Sequence, residues 1–448
     1  MECTDEYTRY AMVAHTATQH TETAPVRPVF RVALAILLCM SAIYYFSFFQ
    51  RVAVPGTIFD ELQSDFHTTA SWIAGLSTLF LCIYGVMQFL SGVLNDRFGA
   101  ARIMLACGLL LTLGSLLFPL AHSLPVLYAT RALVGLGASL AFISIVKELD
   151  YLFDSQQFPQ YLGIAMFLGY TGGLTGTFPF ERAVSLWGWR YSLLGSGVLC
   201  ALALLVAYVL FKKSGALARR VQAPSLLVFG VILRNRRSLA LLLVAPANFA
   251  VYFLLQSTIG KKFLADYCGI SGALATSFTF IMMLSTMGVV LASGFLTRLI
   301  GNRRKPLLIT AVLIAFSGLA CLILGLFAGF GSWWFLFCFI LLALSNLGSP
   351  IGNILMKELN PPEAVGTATG LINGLCYLIA AVLSSLSGYI MDFFRAGARV
   401  TSAAIIYPRE AYFTIFFICA LISLGTIICS FFLRESHGQS VYVAEDAA

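Results

Sequence analysis

Gly92-Val93-Leu94-Asn95-Asp96-Arg97-Phe98-Gly99-Ala100-Ala101-Arg102 decides the fold, because it occurs twice. Its counterpart is Gly294-Phe295-Leu296-Thr297-Arg298-Leu299-Ile300-Gly301-Asn302-Arg303-Arg304. Gly92 and Gly294, Leu94 and Leu296, Gly99 and Gly301, and Arg102 and Arg304 all pair at one fixed offset. Each copy closes one long apolar segment and precedes another. A short basic turn between two apolar spans, repeated in both halves, points to a duplicated membrane bundle of transporter type rather than an enzyme.

Composition sets the solvent. The 448 residues are 59% hydrophobic and only 11% charged, with a mean hydropathy of +0.88. A soluble chain of this length carries about 25% charged residues, so lipid is the solvent here. The 38 glycines agree, since Gly is more frequent in membrane helices than in soluble ones. A net charge of +8 would suit nucleic acid, but the charges lie in short turns between apolar runs, and no nucleic-acid partner is expected. Most of the eleven cysteines fall inside apolar segments, with neither CxxC nor Cys/His ligand spacing, so neither a metal nor a disulfide framework is expected. No cofactor motif is present, and no nucleotide-binding loop that would drive transport with ATP.

A span needs roughly 20 apolar residues. Twelve runs of that kind lie near 30–58, 70–93, 101–121, 126–149, 160–181, 190–211, 238–260, 272–297, 306–329, 333–356, 365–391 and 411–433. The longest polar connector, 212–237, divides them six and six. The expected organisation is a disordered tail over 1–28 without a cleavable signal, a six-helix bundle over 29–211, a linker over 212–237, a second bundle over 238–433 and a tail over 434–448. The fold expected is all-α and integral to the membrane: twelve transmembrane helices in two pseudo-symmetric six-helix bundles. Lys and Arg collect on one side, at Arg97, Arg102, Lys212, Lys213, Arg219, Arg220, Arg234, Arg236, Arg237, Arg298, Arg303, Arg304 and Lys305, which puts both termini in the cytoplasm. Lys147-Glu148-Leu149 and Lys357-Glu358-Leu359 end the fourth and tenth spans as a second echo.

These residues resemble the major facilitator superfamily. Residues 92–102 match its G-x-L-x-D-R-x-G-x-x-R loop between helices two and three at every named position. Arg131-Ala132-Leu133-Val134-Gly135-Leu136-Gly137 is similar to its R-x-x-x-G-x-G pattern in helix four, and Trp189-Arg190 to a frequent feature of helix six. Tyr44-Tyr45-Phe46-Ser47-Phe48-Phe49-Gln50-Arg51 resembles helix one of its organic-anion branch, the anion:cation symporters and organophosphate:phosphate antiporters. The resemblance implies that Arg51 contacts the negative group of a substrate. Gln50 stands where proton-coupled members often have an acid, a departure from their pattern. Gly366-Thr367-Ala368-Thr369-Gly370-Leu371-Ile372-Asn373 resembles helix eleven of the same transporters.

Burying an Arg at the bilayer centre costs roughly 2.5–3.5 kcal/mol on insertion scales, so such a residue faces a wet cavity, a partner or an anion. Arg51 lies deep in the first span, before Pro55-Gly56, where Pro frees carbonyls and bends the helix. The expected substrate-binding set is Arg51 with Tyr45, Arg131, Tyr252, Gln256, Lys261, Asn346, Asn373 and Tyr377. For Arg131, bonding helix-end carbonyls is the competing reading, and for Lys261 a solvated helix end. Tyr84, Gln88 and Asn353 are further hydrogen-bonding groups inside spans, and the glycines of 169–176 permit close helix approach.

The expected gating set is Gly92, Asp96, Arg97, Gly99, Arg102 and Glu148. The resemblance implies that Asp96 meets the start of helix eleven, where a carboxylate finds a helix N-terminus. The function expected is secondary transport of a small organic anion, with protons or a counter-anion as co-substrate, by a monomer in a bacterial inner membrane. Drug or metabolite efflux by proton antiport, or a non-transporting sensor on the same scaffold, are the alternatives. Efflux of cations predicts an acidic cavity, whereas the deep charge here is Arg.

Overall fold

The computed structural model describes residues 29–154, 157–218, 232, 235–361, 365–401 and 404–440. The expected tail over 1–28, most of the linker and the last eight residues lie outside them. Twelve long helices follow one another: α1 Phe30–Thr57, α2 Ala70–Phe98, α3 Ala100–Leu120, α4 Leu124–Leu152, α5 Phe158–Thr175, α6 Phe178–Lys213, α7 Ser238–Cys268, α8 Gly272–Leu299, α9 Lys305–Ala328, α10 Ser332–Leu359, α11 Gly366–Gly397 and α12 Arg409–Ser430. Among the described residues, eleven of these are long and apolar enough to cross a membrane. The exception is α5, whose 18 residues carry no charge but are diluted by Gly, Tyr and Thr; it packs along α1 as part of the first bundle. The sixth span begins earlier than the sequence suggests, because Phe178–Trp187 forms a short helix that turns into the span at Gly188.

The helices are interrupted where the sequence cannot hold them. Around Pro55, α1 ends in a wide turn over Ala53–Thr57, with Val54 in an extended conformation. Its counterpart in the second half is a wide turn over Leu255–Ile259 in α7. The two turns touch: a Cβ on Gly56 would stand 2.7 Å from the Ser257 carbonyl oxygen. Only a glycine admits that approach.

The longest seam between the halves runs between α2 and α11. Gly85 and Gly374 face each other there, and a Cβ on either would lie 2.9 Å from the other's carbonyl oxygen. At the end of the seam remote from the termini, the Asp392 carboxylate accepts the Ala70 and Ser71 backbone N–H groups at 2.9 and 3.0 Å and the Ser71 hydroxyl. A carboxylate thus sits on the N-terminus of α2, matching its partial positive charge. A two-stranded hairpin, β1 Arg399–Val400 and β2 Ile405–Ile406, lies between α11 and α12 on the same face.

Candidate functional site

Between the halves lies a cavity of about 930 Å³, counting the space that opens to solvent. Arg51 is its chemical centre. Its side chain is buried at 3% exposure. Three aromatic rings surround the guanidinium, with centroids 4.3 Å (Phe48), 4.4 Å (Tyr84) and 4.9 Å (Tyr377) from its carbon. Such stacking stabilises a cation by about 0.5–2 kcal/mol per ring when desolvated. Nη1 donates to the Tyr377 hydroxyl at 2.5 Å, while Nε and Nη2 have no partner. Two aligned N–H donors shut from water cost several kcal/mol unless something accepts from them. No acidic side chain lines the cavity among the described residues.

Of the expected binding residues, Arg51, Tyr252, Gln256, Asn346, Asn373 and Tyr377 line this cavity. Gln256 donates to the Thr279 carbonyl at 3.2 Å, which turns its own oxygen loose; Oε1 has no donor, nor has Oδ1 of Asn346 or Asn353. The Tyr252 hydroxyl lies 3.7 Å from the Met283 sulfur.

The other three lie elsewhere. The Tyr45 hydroxyl bonds Thr175 on α5 at 2.6 Å, beside the α1–α5 contact that the glycines of 169–176 admit. Arg131 is 1% exposed and donates to Gln50 O at 3.1 Å, Val54 O at 2.5 Å and Leu76 O at 3.5 Å, with Phe80 on its face. Those carbonyls include the ones that the break in α1 leaves without a helical donor, so of the two readings of Arg131 the geometry is that of carbonyl bonding. Lys261 sits beyond the cavity on the face remote from the termini, buried rather than solvated.

Polar bonds join the halves on that face as well as at Arg51 and Tyr377. Lys261 Nζ reaches Glu181 at 2.8 Å, Glu61 at 3.3 Å and the Thr57 carbonyl at 2.5 Å. Lys262 Nζ pairs with Asp60 and Asp266, each at 2.7 Å, and donates to the Ile405 carbonyl at 2.6 Å. Gln63 donates to the Tyr407 hydroxyl at 2.9 Å. On the termini face the pairs stay within a half. Asp96 meets Lys147 of α4 at 2.7 Å, and Arg304 meets Glu358 at 3.0 Å. The start of α11 that Asp96 was expected to meet follows residues 362–364, which lie outside the described set. Arg97 lies over Phe98, Arg102 donates to the Leu217 carbonyl at 2.7 Å, Glu148 is buried, and Gly92 faces open space. Gly99 ends α2 with φ +86°.

Tyr170 of α5 also lines the cavity, in edge contact with Phe48, and the sequence reading passed over it. The tyrosine inside the glycine-rich stretch was the available signal, since a large side chain among small ones marks a surface facing space rather than a helix.

The family model of the Major Facilitator Superfamily matches residues 34–385 and 259–447. The chain belongs to that superfamily. Solved structures agree on the facilitator fold: a D-xylose-proton symporter aligns with a TM-score of 0.72 over 91% of this chain and 99% of its own, at 16% identity. Among curated relatives, human "Monocarboxylate transporter 2" is 32% identical over 147 residues, which is 32% of this facilitator and 30% of the relative. Rat "Monocarboxylate transporter 3" is 27% identical over 380 residues, 79% of this chain and 75% of the relative. "Probable sulfoacetate transporter SauU" of Cupriavidus necator is 24% identical over 195 residues, 44% of this chain and 45% of the relative. The facilitator thus spans about 30% of the length of the first curated relatives it matches.

Proposed function

We propose that this facilitator is a secondary transporter of a small organic anion, bound through one carboxylate or a similar oxyanion. The single observation carrying this is the Arg51 fork, with two unpartnered N–H groups in an aromatic-walled cavity that holds no acid among its described lining residues. A carboxylate accepts both donors side by side, the strongest pairing a guanidinium makes. Among the described lining residues there is one cation and no second, which favours a single negative charge on the substrate. The free amide oxygens of Gln256, Asn346 and Asn353 suit a substrate bearing hydroxyl groups away from its charge. A relative named for monocarboxylates matches this chemistry, one carboxylate on a small carbon skeleton, and another is named for sulfoacetate, which carries a sulfonate beside its carboxylate.

Transport proceeds by alternating access between the two bundles. Both termini face the cytoplasm of a cell's plasma membrane, since the basic turns collect on that side. The face remote from them is then the outer mouth, shut here by the Lys261 and Lys262 networks. The protein works as a monomer, because its own two halves enclose the cavity. Protons or a counter-anion accompany the substrate.

Uptake of labelled monocarboxylates, hydroxy acids and sulfonates into proteoliposomes, with and without a pH gradient, tests this reading. Wild type is expected to take up at least one such anion, and Arg51→Ala to lose that uptake while inserting normally. Undiminished uptake by Arg51→Ala would remove the anchor.

A further inference from the structure

We propose that Glu61 is a proton-operated latch of the outer mouth: the mouth shuts with this carboxyl protonated and reopens when the proton leaves. The inference rests on the alternating-access reading above, since a latch requires a mouth that opens.

The two halves meet there through buried charges of unequal number. Lys261 and Lys262, 5% and 0% exposed as side chains, both come from α7 in the second half. Facing them are Asp60 and Glu61 from the short helix Phe59–Asp65, Glu181 from the start of α6, and Asp266 one turn on in α7. Four carboxylates therefore share two ammonium groups.

They are not equally provided for. Asp266 also accepts from the Tyr407 N–H at 2.9 Å and the Tyr412 hydroxyl at 2.7 Å. Glu181 holds the shorter bond to Lys261, at 2.8 Å. Glu61 has the longer one, at 3.3 Å, and its second oxygen, Oε2, is closed to solvent and accepts from nothing. A carboxylate oxygen shut from water without a donor is destabilised, and neutralising the group removes that cost. Burial pushes the Glu61 carboxyl above its usual range; Lys261 and the residue's own backbone N–H oppose this, while the charges of Glu181 and Asp60 reinforce it. The remaining charge on the short helix, Asp65, is engaged with Arg190 at 3.6 Å.

Opening the mouth parts Glu61 from Lys261 and returns it to water, where a glutamate titrates near about 4.3. The shut state therefore binds a proton that the open state releases. Its advantage is present in acid and is lost as the pH rises through the raised value of the shut state. The proton comes from the outer solution and returns to it, so it sets the balance of states without being carried across.

The native lysines report the latch directly. Purified full-length protein is treated with a water-soluble amine-reactive reagent, and labelling of Lys261 and Lys262 is measured by mass spectrometry relative to exposed Lys213, which corrects for the reagent's own pH dependence. In wild type the ratio is expected to rise several-fold from acidic to neutral pH, and in Glu61→Gln to stay low throughout. A flat ratio in wild type, or a wild-type rise in Glu61→Gln, overturns the proposal. If Glu61→Gln does not accumulate, Glu61→Asp replaces it; the shorter side chain withdraws from Lys261, and a rise at an unchanged pH would equally overturn the assignment. No substrate enters this measurement. A wild type that shows the rise but takes up no anion overturns the proposed function and leaves the latch standing, whereas anion uptake with a flat ratio does the reverse.

Discussion

Arg51 and Tyr377 stand 326 positions apart in the chain and meet across the central cavity, Nη1 to hydroxyl at 2.5 Å. One comes from α1 in the first half and the other from α11 in the second, so this bond ties the proposed anion anchor to both halves. Tyr377 takes one donor of the guanidinium and leaves the other edge free. Tyr377→Phe keeps the ring but releases Nη1, so the fork loses its orientation. A net loss of about 1–1.5 kcal/mol is expected, which raises the substrate KM roughly ten-fold with little change in melting temperature. Initial-rate uptake and a thermal melt on the same preparation check both halves of that statement.

Arg131 is expected to behave differently. Removing it orphans the Gln50 and Val54 carbonyls inside a fully buried pocket, at about 1–3 kcal/mol for each group left unpaired. Arg131→Ala should therefore depress the melting temperature and the yield of inserted protein, and saturating substrate should not restore them. A stable Arg131→Ala with only a raised KM would show that the side chain contacts substrate instead.

Asp96 and Lys147 form a partly exposed pair, with side chains 30% and 45% accessible. Exposed pairs contribute about 0–1 kcal/mol, so Asp96→Asn should melt close to wild type. Its transport rate is nevertheless expected to fall, because the pair holds the ends of α2 and α4 together on the termini face. Lys147→Met should reproduce the loss if the pair, rather than the carboxylate alone, is what matters.

The segment after α12 carries a pH-dependent contact. Burial pushes the Glu435 carboxyl up, but backbone N–H groups of Arg304, His437, Lys305 and Ser436 outweigh it and hold the group below its usual range. A depressed value contributes stability that is present above the unfolded value and lost as the pH falls through the folded one. Glu435→Gln is expected to lower the melting temperature at neutral pH, and the gap to wild type should close in acid. Parallel melts across that range decide it.

Gly374 offers a steric test. A side chain there meets the Gly85 carbonyl oxygen at 2.9 Å and runs into the Phe89 ring. Gly374→Val forces α2 and α11 apart at a cost of about 1–3 kcal/mol. Reduced thermal stability together with reduced uptake is the expected result.

The duplicated turn, the division into two bundles and the deep position of Arg51 could all be read along the chain, because each depends on local composition or on a fixed offset. The fifth span was harder, since α5 mixes Gly, Tyr and Thr into its apolar run and is recognised by what it packs against. The surroundings of Arg51 were only partly legible. Tyr84 and Tyr377 come from two different helices, and no local pattern says that they converge on one guanidinium. Arg131 shows the same limit from the other side: a buried arginine needs acceptors, but whether these are a substrate's oxygens or the carbonyls of a broken helix depends on a neighbour 77 residues away. The lysine pair is similar. Adjacent cations at a helix end suggest a solvated cap until the acids of two other segments close over them.

The contact of Gly85 with Gly374 has a mechanical consequence. Where two helices touch backbone to backbone, with Phe89 and Leu378 alone laid against the glycines, little has to be unpacked for one helix to pivot on the other. The α2–α11 seam is built like a bearing, and bearings tolerate no grit: bulk added at these glycines jams motion wherever the cargo sits. Changes in cargo preference should therefore accumulate on the walls away from it, at positions such as Gln256, Asn346 and Asn353, while the pivot stays bare.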